Sequence, residues 1–410
     1  MPALRNAPLV RLGAPVVTAR LGSVLSTSSG LSAALWPGRQ NIWIGSIRSS
    51  EPRRDRAGVV RLEVVKNRKH FGWRVLDEPA DGISIMAESN QLSRRVNERP
   101  CVGLVRDKQS IGIIGTGWVG SSVAISTLHL GITQELLLYD VRAGLAEGEA
   151  MDLAHGASFY PSADVRRASI GKMRDASVIV IAAGKSGGPG QSRLDLLRDN
   201  VVIIAELAQQ LRGYAGIIIM VTNPVDVLTH LFQKASGLPA ERVIGTGTML
   251  DTARLRQMLG RELGIDARSI HAQVVGEHGD SEVVLWSSAN VGGAALRRWR
   301  GWNNGREARI AQEVRQAAQQ VIQRKGATNH AIGLVTANLL RCVLKNERRV
   351  LTISRVQSGA LGHDNVALSL PAVVSLGGAA EVIEPELDDA ERAALSRSAG
   401  ILRSVSDAVG

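Results

Sequence analysis

The stretch that most narrows what this chain can fold into runs from Ser110 to Asp140. Ile111-Gly112-Ile113-Ile114 reads as a short apolar strand, and it leads directly into Gly115-Thr116-Gly117-Trp118-Val119-Gly120. A helical stretch, Ser121 to Leu130, follows. The GxGxxG spacing has a mechanical reason. The first glycine makes the tight strand-to-helix turn, the second lets a pyrophosphate approach the backbone, and the third allows close helix-to-sheet packing. The helix N-terminus then offers free N–H groups and a partial positive charge to a diphosphate. A second apolar strand, Glu135-Leu136-Leu137-Leu138-Tyr139, ends in Asp140, 20 residues beyond Gly120. A ribose-binding carboxylate is expected at that separation. The unit predicts dinucleotide binding through Gly115, Gly117, Trp118, Val119, Gly120 and Asp140. The acid favours NAD, because it would repel the extra phosphate of NADP, although Arg142 lies close by. A glycine-rich turn in some other βαβ unit is the competing reading.

Further strands are expected at 176–183, 216–222 and 242–245, with helical segments such as 199–211 between them. Strands alternating with helices argue a parallel, doubly wound sheet whose ligand sits at the strand C-termini. Residues 184–190 follow one such C-terminus and hold four glycines and Pro189. They read either as a mobile lid over the cofactor or as a surface loop. Arg193 lies just downstream, so closure of a lid would carry a guanidinium towards the site.

At 410 residues the chain exceeds one ordinary core, and two domains with an appendage are expected. Its net charge of +11 suggests nucleic acid until the charge is located. Residues 1–108 hold 15 Arg and 3 Lys against 9 acids, whereas residues 109–410 hold 31 basic and 29 acidic side chains. The excess therefore belongs to the extension, and a nearly neutral body excludes a nucleic-acid-binding surface as its main business. The first fifty residues lack Asp and Glu and contain Arg5, Arg11, Arg20, Arg39 and Arg48. Three readings follow: upstream sequence ahead of a true start such as Met86, an organelle-targeting segment, or a basic arm for nucleic acid or anionic membrane. A poorly structured segment is expected, with short strands at 59–65 and 82–86. No apolar run approaches the roughly 18–20 residues that span a bilayer. With only Cys101 and Cys342, disulfides and a zinc site are not expected, which suits a reducing compartment.

The chemistry centres on Val275-Gly276-Glu277-His278-Gly279-Asp280-Ser281-Glu282. Flanking glycines let the backbone turn and clear space beside the imidazole of His278, which can donate and accept protons near neutral pH. A hydrogen-bonded turn histidine is the plain alternative. Leu250-Asp251-Thr252-Ala253-Arg254-Leu255-Arg256 places Asp251 and Arg254 three apart, on one helical face. An aspartate can fix an imidazole tautomer and raise its pKa, and an arginine fork suits a substrate carboxylate. A surface ion pair is the alternative, and it would be worth little.

From Ser110 to the C-terminus these pieces resemble the L-lactate/malate dehydrogenase family, bacterial L-lactate dehydrogenases above all. The landmarks stand in order: the GxGxxG turn with Asp140, residues 151–155, residues 192–196, Thr222-Asn223-Pro224-Val225-Asp226, residues 250–256, residues 276–282 and Lys325-Gly326-Ala327-Thr328. The malate branch usually has a second glycine where Glu277 stands. The resemblance implies a Rossmann-type NAD-binding domain at 109–248 and an α+β substrate domain at 249–410. By position, it makes His278 the acid/base for hydride transfer and Asp251 its orienting partner. Arg254 would grip the substrate carboxylate, and Arg193 would polarise the reacting carbonyl. Asn223 would sit near the nicotinamide and the substrate oxygen, and Thr328 and Ile332 would line the pocket. No metal is implied. Gly187 stands where lactate dehydrogenases carry glutamine and malate dehydrogenases arginine. Malate is therefore disfavoured, and acids bulkier than pyruvate are admitted. Asn329-His330 replaces a common tyrosine pair. Arg256 and His271 match positions that hold fructose 1,6-bisphosphate in allosteric members. A cytoplasmic homo-oligomer, dimer or tetramer, is expected, and 388–409 reads as a long amphipathic helix against the substrate domain.

Overall fold

A computed structural model describes residues 109–185 and 193–409, without the side chains of Arg193 and Leu194, and the backbone of six short strands nearer the N-terminus. Contacts divide the chain into two units, Met1–Arg99 and Pro100–Gly410. In the first, β1 (Leu9–Arg11) pairs with β2 (Thr18–Arg20), β3 (Leu25–Thr27) with β4 (Gly30–Ser32), and β5 (Leu62–Asn67) with β6 (His70–Val75), all antiparallel. The strand expected at 59–65 therefore begins three residues later, and its partner β6 was not foreseen. The strand expected at 82–86, and Cys101, lie outside the described residues.

The second unit opens with β7 (Ser110–Ile114), α1 (Trp118–Leu130), β8 (Glu135–Tyr139), α2 (Ala143–His155), β9 (Asp164–Arg167) and α3 (Ile170–Met173). It continues through β10 (Val178–Ile181), α4 (Arg193–Gln210), β11 (Ile217–Met220), α5 (Val225–Ser236), β12 (Val243–Gly245) and α6 (Met249–Leu263). Then come the two-residue strands β13 (Ile270–His271), β14 (Val274–Val275), β15 (Val283–Val284), β16 (Asn290–Val291) and β17 (Ala294–Ala295). The chain closes with α7 (Asn304–Lys325), α8 (His330–Leu344), β18 (Arg349–Ser358), β19 (Asp364–Ser375), β20 (Gly378–Val382) and α9 (Asp389–Val409).

Nine strands form one sheet in the order β20-β19-β18-β12-β11-β10-β7-β8-β9. From β9 to β12 the pairing is parallel, and the sequence order across it is 3-2-1-4-5-6 of a doubly wound sheet. The central strands are continuous apolar runs because helices cover both faces. In β10, Val178 and Val180 face a core with Val123 and Leu128 of α1 and Leu339 and Leu340 of α8. Ile179 and Ile181 face the other side, with Ile204 of α4, Phe232 of α5, and Leu395 and Leu402 of α9. A smaller core joins Leu255 and Leu259 of α6 to Ile310 and Val314 of α7.

Antiparallel β18 joins β12 at Gly245↔Ser354 and extends the parallel sheet with strands from the C-terminal half. Helix α9 carries its apolar residues where the periodicity placed them, with Leu395, Ala399 and Leu402 buried. It contacts β15 and β19, as expected, and also α5 of the nucleotide-binding half, which was not expected.

Candidate active site

The parallel strands end abreast. Tyr139, Ile114, Ile181, Met220 and Gly245 stand in register across the sheet. The residues that follow them, from Asp140 and Gly115 to Thr246, therefore line one carboxyl edge, where open α/β sheets place ligands.

At β7 the glycines do what their spacing predicted. Gly115 has φ +93°, and a Cβ there would lie 2.4 Å from the Ala183 nitrogen. A Cβ at Gly120 would lie 1.9 Å from the Gly115 carbonyl oxygen. Gly117 instead faces open space, with nothing within 4 Å of a built Cβ among the described residues. Helix α1 begins at Trp118, three residues earlier than expected, so Gly117 is its N-cap, and no side chain satisfies the first N–H groups. A cradle of uncapped N–H groups with room above it fits a dinucleotide diphosphate. Asp140 accepts hydrogen bonds from the backbone N–H of Thr116 (3.0 Å) and Arg142 (3.0 Å), which fixes its carboxylate at the end of β8. Oδ2 also accepts from the Thr116 hydroxyl (3.5 Å), and Oδ1 keeps a lone pair for a ribose hydroxyl. The Arg142 guanidinium lies 3.6 Å from Asp140 and is largely exposed. Trp118 is also exposed, and Val119 is half-buried against the core.

His278 lies on the loop between β14 and β15. Its Nδ1 is 2.5 Å from Asp251 Oδ2, and Arg254 Nη1 donates to Asp251 Oδ1 at 2.7 Å. One buried carboxylate thus holds both the imidazole and the guanidinium. The Asp251 side chain is 3% exposed and that of Arg254 15%, which removes the surface-pair alternative. Burial disfavours the charged imidazole, but the charge and hydrogen bond of Asp251 outweigh it, and the His278 pKa is pushed up to about 9. Burial likewise works against the Asp251 carboxylate, yet His278 and Arg254 hold its pKa below the usual value. Since Nδ1 is engaged, Nε2 is left to face a ligand.

The loop turns at Gly276, whose φ is +87° and whose backbone exchanges two hydrogen bonds with Ser369 of β19, each 2.9 Å. Glu277 folds back to accept hydrogen bonds from the Ser281 N–H and hydroxyl. A Cβ at Gly279 would come 3.0 Å from the Glu277 carboxyl carbon and press on the folded-back side chain.

Other expected residues fall nearby or outside the described set. Asn223 is exposed at the C-terminal end of β11 and its carbonyl accepts from Asn200 Nδ2 (3.1 Å). Arg193 is the first residue of α4, which starts six residues before the helix expected at 199–211; its side chain lies outside the description, as does all of Gly187. Thr328 precedes α8 and is half-buried, and Ile332 in α8 packs against the core shared with α1. Arg256 donates Nε–H to the Ala272 carbonyl (2.9 Å), beside the exposed His271.

Residues 109–245 match the family model for the NAD binding domain of lactate/malate dehydrogenases, and residues 248–409 match that for their alpha/beta C-terminal domain. The chain belongs to the lactate/malate dehydrogenase family. An L-lactate dehydrogenase of Salinibacter ruber is 43% identical over 303 residues, covering 72% of this chain and 96% of its own. One of Geobacillus kaustophilus is 41% identical over 303 residues, covering 72% and 95%. The solved structure of a minor L-lactate dehydrogenase from Enterococcus mundtii in a ligands-bound form matches with a TM-score of 0.72 and 36% identity, covering 74% of this chain and 99% of its own.

In this dehydrogenase several supporting residues carried no sequence signal. Asn200, buried in α4, accepts from the Lys185 N–H (2.7 Å) and so ties the start of the 184–190 stretch to Asn223. Asn329 donates to Ser122 Oγ (2.9 Å), joining the start of α8 to α1 beside the cofactor cradle. Ser398 of α9 accepts from the Glu277 N–H (2.9 Å), and its hydroxyl is hydrogen-bonded to that of Ser281 (3.0 Å). Asp226 accepts from the His278 N–H at 2.7 Å. Asp226 lay within a quoted motif and Asn329 was noted for replacing a tyrosine, but neither contact was foreseen, and the partner of Asp226 is 52 residues away.

Proposed function

We propose that this chain is an NAD-dependent L-2-hydroxy-acid dehydrogenase acting on lactate and pyruvate. The observation that carries the reading is the chain His278–Asp251–Arg254 built on the buried Asp251 carboxylate, which pairs a proton-loaded imidazole with a guanidinium three residues from its orienting aspartate. Reduced NAD, when bound, supplies hydride to the carbonyl carbon of the 2-oxo acid. Gly115, Gly117, Trp118, Val119, Gly120, Asp140, Asn223 and Ile332 are the residues we assign to holding it. As negative charge grows on the carbonyl oxygen, His278 transfers its proton there and becomes neutral; the reverse reaction returns that proton to Nε2. Arg254 has used one of its N–H donors on Asp251, and the others serve the substrate carboxylate. Arg193 is assigned to polarising the carbonyl. Thr328 and Gly187 are assigned to the pocket that receives the substrate side chain. The same reading divides the catalytic unit at 109–248 and 249–410.

A dehydrogenase for bulkier 2-oxo acids is the second reading, favoured by glycine at 187. Malate ranks behind it because no arginine stands there to meet a second carboxylate. NADH oxidation with pyruvate, oxaloacetate, 2-oxobutyrate, 2-oxoisocaproate and phenylpyruvate separates these readings. Pyruvate should give the highest kcat/KM; no turnover with any of the five would remove the proposal.

The reading also carries a cytoplasmic homo-oligomer, tetramer or dimer, and activation by fructose 1,6-bisphosphate at Arg256 and His271. Arg256 supports the last point, since it is half-buried with its Nε–H on Ala272 and its pKa is lowered first by burial and then by Arg349. Cations held close together in this way would be relieved by a polyanion. Fructose 1,6-bisphosphate titrated at subsaturating pyruvate should raise the rate, and an unchanged rate would withdraw the effector.

A further inference from the structure

Beneath the loop that carries His278 lies a second buried carboxylate, Asp226, on the first turn of α5. The residue is 2% exposed, and its Oδ2 accepts the backbone N–H of His278 at 2.7 Å. Its Oδ1 is buried beside the Ser354 hydroxyl and has no hydrogen bond of good geometry among the described residues. A carboxylate left half-satisfied in a core is costly unless something needs its charge. A neutral acceptor could hold an N–H group equally well, so the hydrogen bond alone does not account for the acid.

We propose that Asp226 is a positioning residue for the reaction, fixing the backbone of His278 from below and adding a second negative charge to the field at its imidazole. The charged groups around that imidazole come from three helices and the loop itself. Asp251 and Arg254 stand on α6, Asp226 on α5, and Glu277 and Glu282 on the loop, with Arg315 of α7 facing Glu282. Glu282 is buried, chiefly for that reason stays protonated up to about pH 8, and so adds no charge at neutrality. Asp226 is therefore the carboxylate that joins Asp251 in favouring imidazolium, while Arg254 opposes them. Asp251 reaches the ring through a hydrogen bond, whereas Asp226 reaches it through the backbone and through space. The division is useful. Asp251 can orient the tautomer, and Asp226 can hold Nε2 at a constant height above the substrate while keeping the proton available.

The proposal rests on His278 being the acid/base group, so its test needs a readout that does not depend on turnover. NMR titration of ring-labelled histidine in the full chain reports the His278 imidazole directly, with its signal assigned by loss in His278→Asn. Asp226→Asn keeps an acceptor for the N–H but removes the charge, and the imidazole pKa should fall by about one pH unit. The pH at which 2-oxo-acid reduction is half lost should fall with it, at unchanged affinity for NADH. Asp226→Ser, smaller and still able to accept a hydrogen bond, carries the same test if the first variant does not fold. An unchanged imidazole pKa in a folded variant would overturn the proposal, as would failure of both variants to fold, which would make Asp226 a residue of stability alone. A shifted imidazole in a protein that turns over no 2-oxo acid would instead remove the function proposed above and leave the role of Asp226 standing.

Discussion

His278 holds its proton through neutral pH because Asp251 outweighs the cost of burial, and with His278 as the proposed acid/base this would set the pH behaviour of both reaction directions. Reduction needs imidazolium, so kcat/KM for the 2-oxo acid should stay level from pH 6 to 8 and decline through about pH 9. Oxidation of the hydroxy acid needs the neutral ring and should rise through the same value. Rates measured in both directions from pH 6 to 10 check this; a reduction profile that bends near 7 would contradict it. The stability linkage has the same sign. A histidine pKa raised from 6.5 contributes stability that is fully present below pH 6.5 and is lost as pH rises through about 9. Asp226 runs the other way. Burial raises its pKa to about 6, so its ionisation costs stability as pH rises from about 4 to 6, on the order of 3 kcal/mol at pH 7.5. Asp226→Asn keeps an acceptor for the His278 N–H but gives up the charge assistance of that bond, roughly 1 kcal/mol, leaving a net gain of about one or two. Its melting temperature at pH 7.5 should be a few degrees above that of the parent, and a lower value would mean that the carboxylate is structural. His278, Asp251 and Arg254 were legible in the sequence because helical spacing and flanking glycines are local signals. Asp226 was not assigned a role, since its bond to His278 depends on the approach of two segments 52 residues apart.

Among the elements, the strands were the most legible. β8 matches its predicted run, β10, β11 and β12 fall inside theirs, trimmed by up to two residues at an end, and β7 begins one residue early, at Ser110. Helix starts were less so. α1 begins at Trp118 because the GxGxxG turn is itself the helix entry, and α4 begins at Arg193 although its polar first turn hides the periodicity. Helix α9 was placed correctly along the chain, but its role was hidden, because what it does depends on the loop it touches. Ser398, fully buried, accepts from the Glu277 N–H and is hydrogen-bonded to the Ser281 hydroxyl, and Glu391 accepts from the Ser287 N–H and hydroxyl. The C-terminal helix thus clamps the catalytic loop from outside, while Ser369 of β19 holds it at Gly276. Removing the Ser398 hydroxyl leaves the Glu277 N–H without its acceptor, a loss of about 1–3 kcal/mol in a buried setting. Ser398→Ala should therefore lower kcat by roughly tenfold, since loop displacement acts on the transition state, with NADH affinity unchanged. Steady-state kinetics beside NADH titration checks this. An equal loss in NADH affinity would show that the whole unit had loosened.

On the scale of the molecule, charge and chemistry occupy different parts of the chain. Residues 1–108 carry a net charge of +9 and the remainder +2. Every site residue named above, from Gly115 to Ile332, lies in the unit Pro100–Gly410. The nine-stranded sheet lies wholly within that unit, as do the helices that cover its two faces. The sequence suggested this division because the cationic excess stops where the apolar strands begin. Among the described residues, the first tether of the catalytic unit is Gln109, whose carbonyl accepts from the Thr133 hydroxyl (2.9 Å) and whose side chain donates to the Leu344 carbonyl (3.2 Å). A chain cut ahead of Pro100 keeps those bonds and should retain kcat and KM for pyruvate within about twofold, given that surface and remote changes are usually small. Adsorption to DNA or anionic vesicles at low salt should be confined to the longer chain and fade as salt rises, because it would rest on the basic arm alone. Loss of turnover in the shortened chain would mean that the extension contributes to the site. Equal adsorption by both chains would move the cationic surface onto the catalytic unit, where a net charge of +2 gives little reason to expect it.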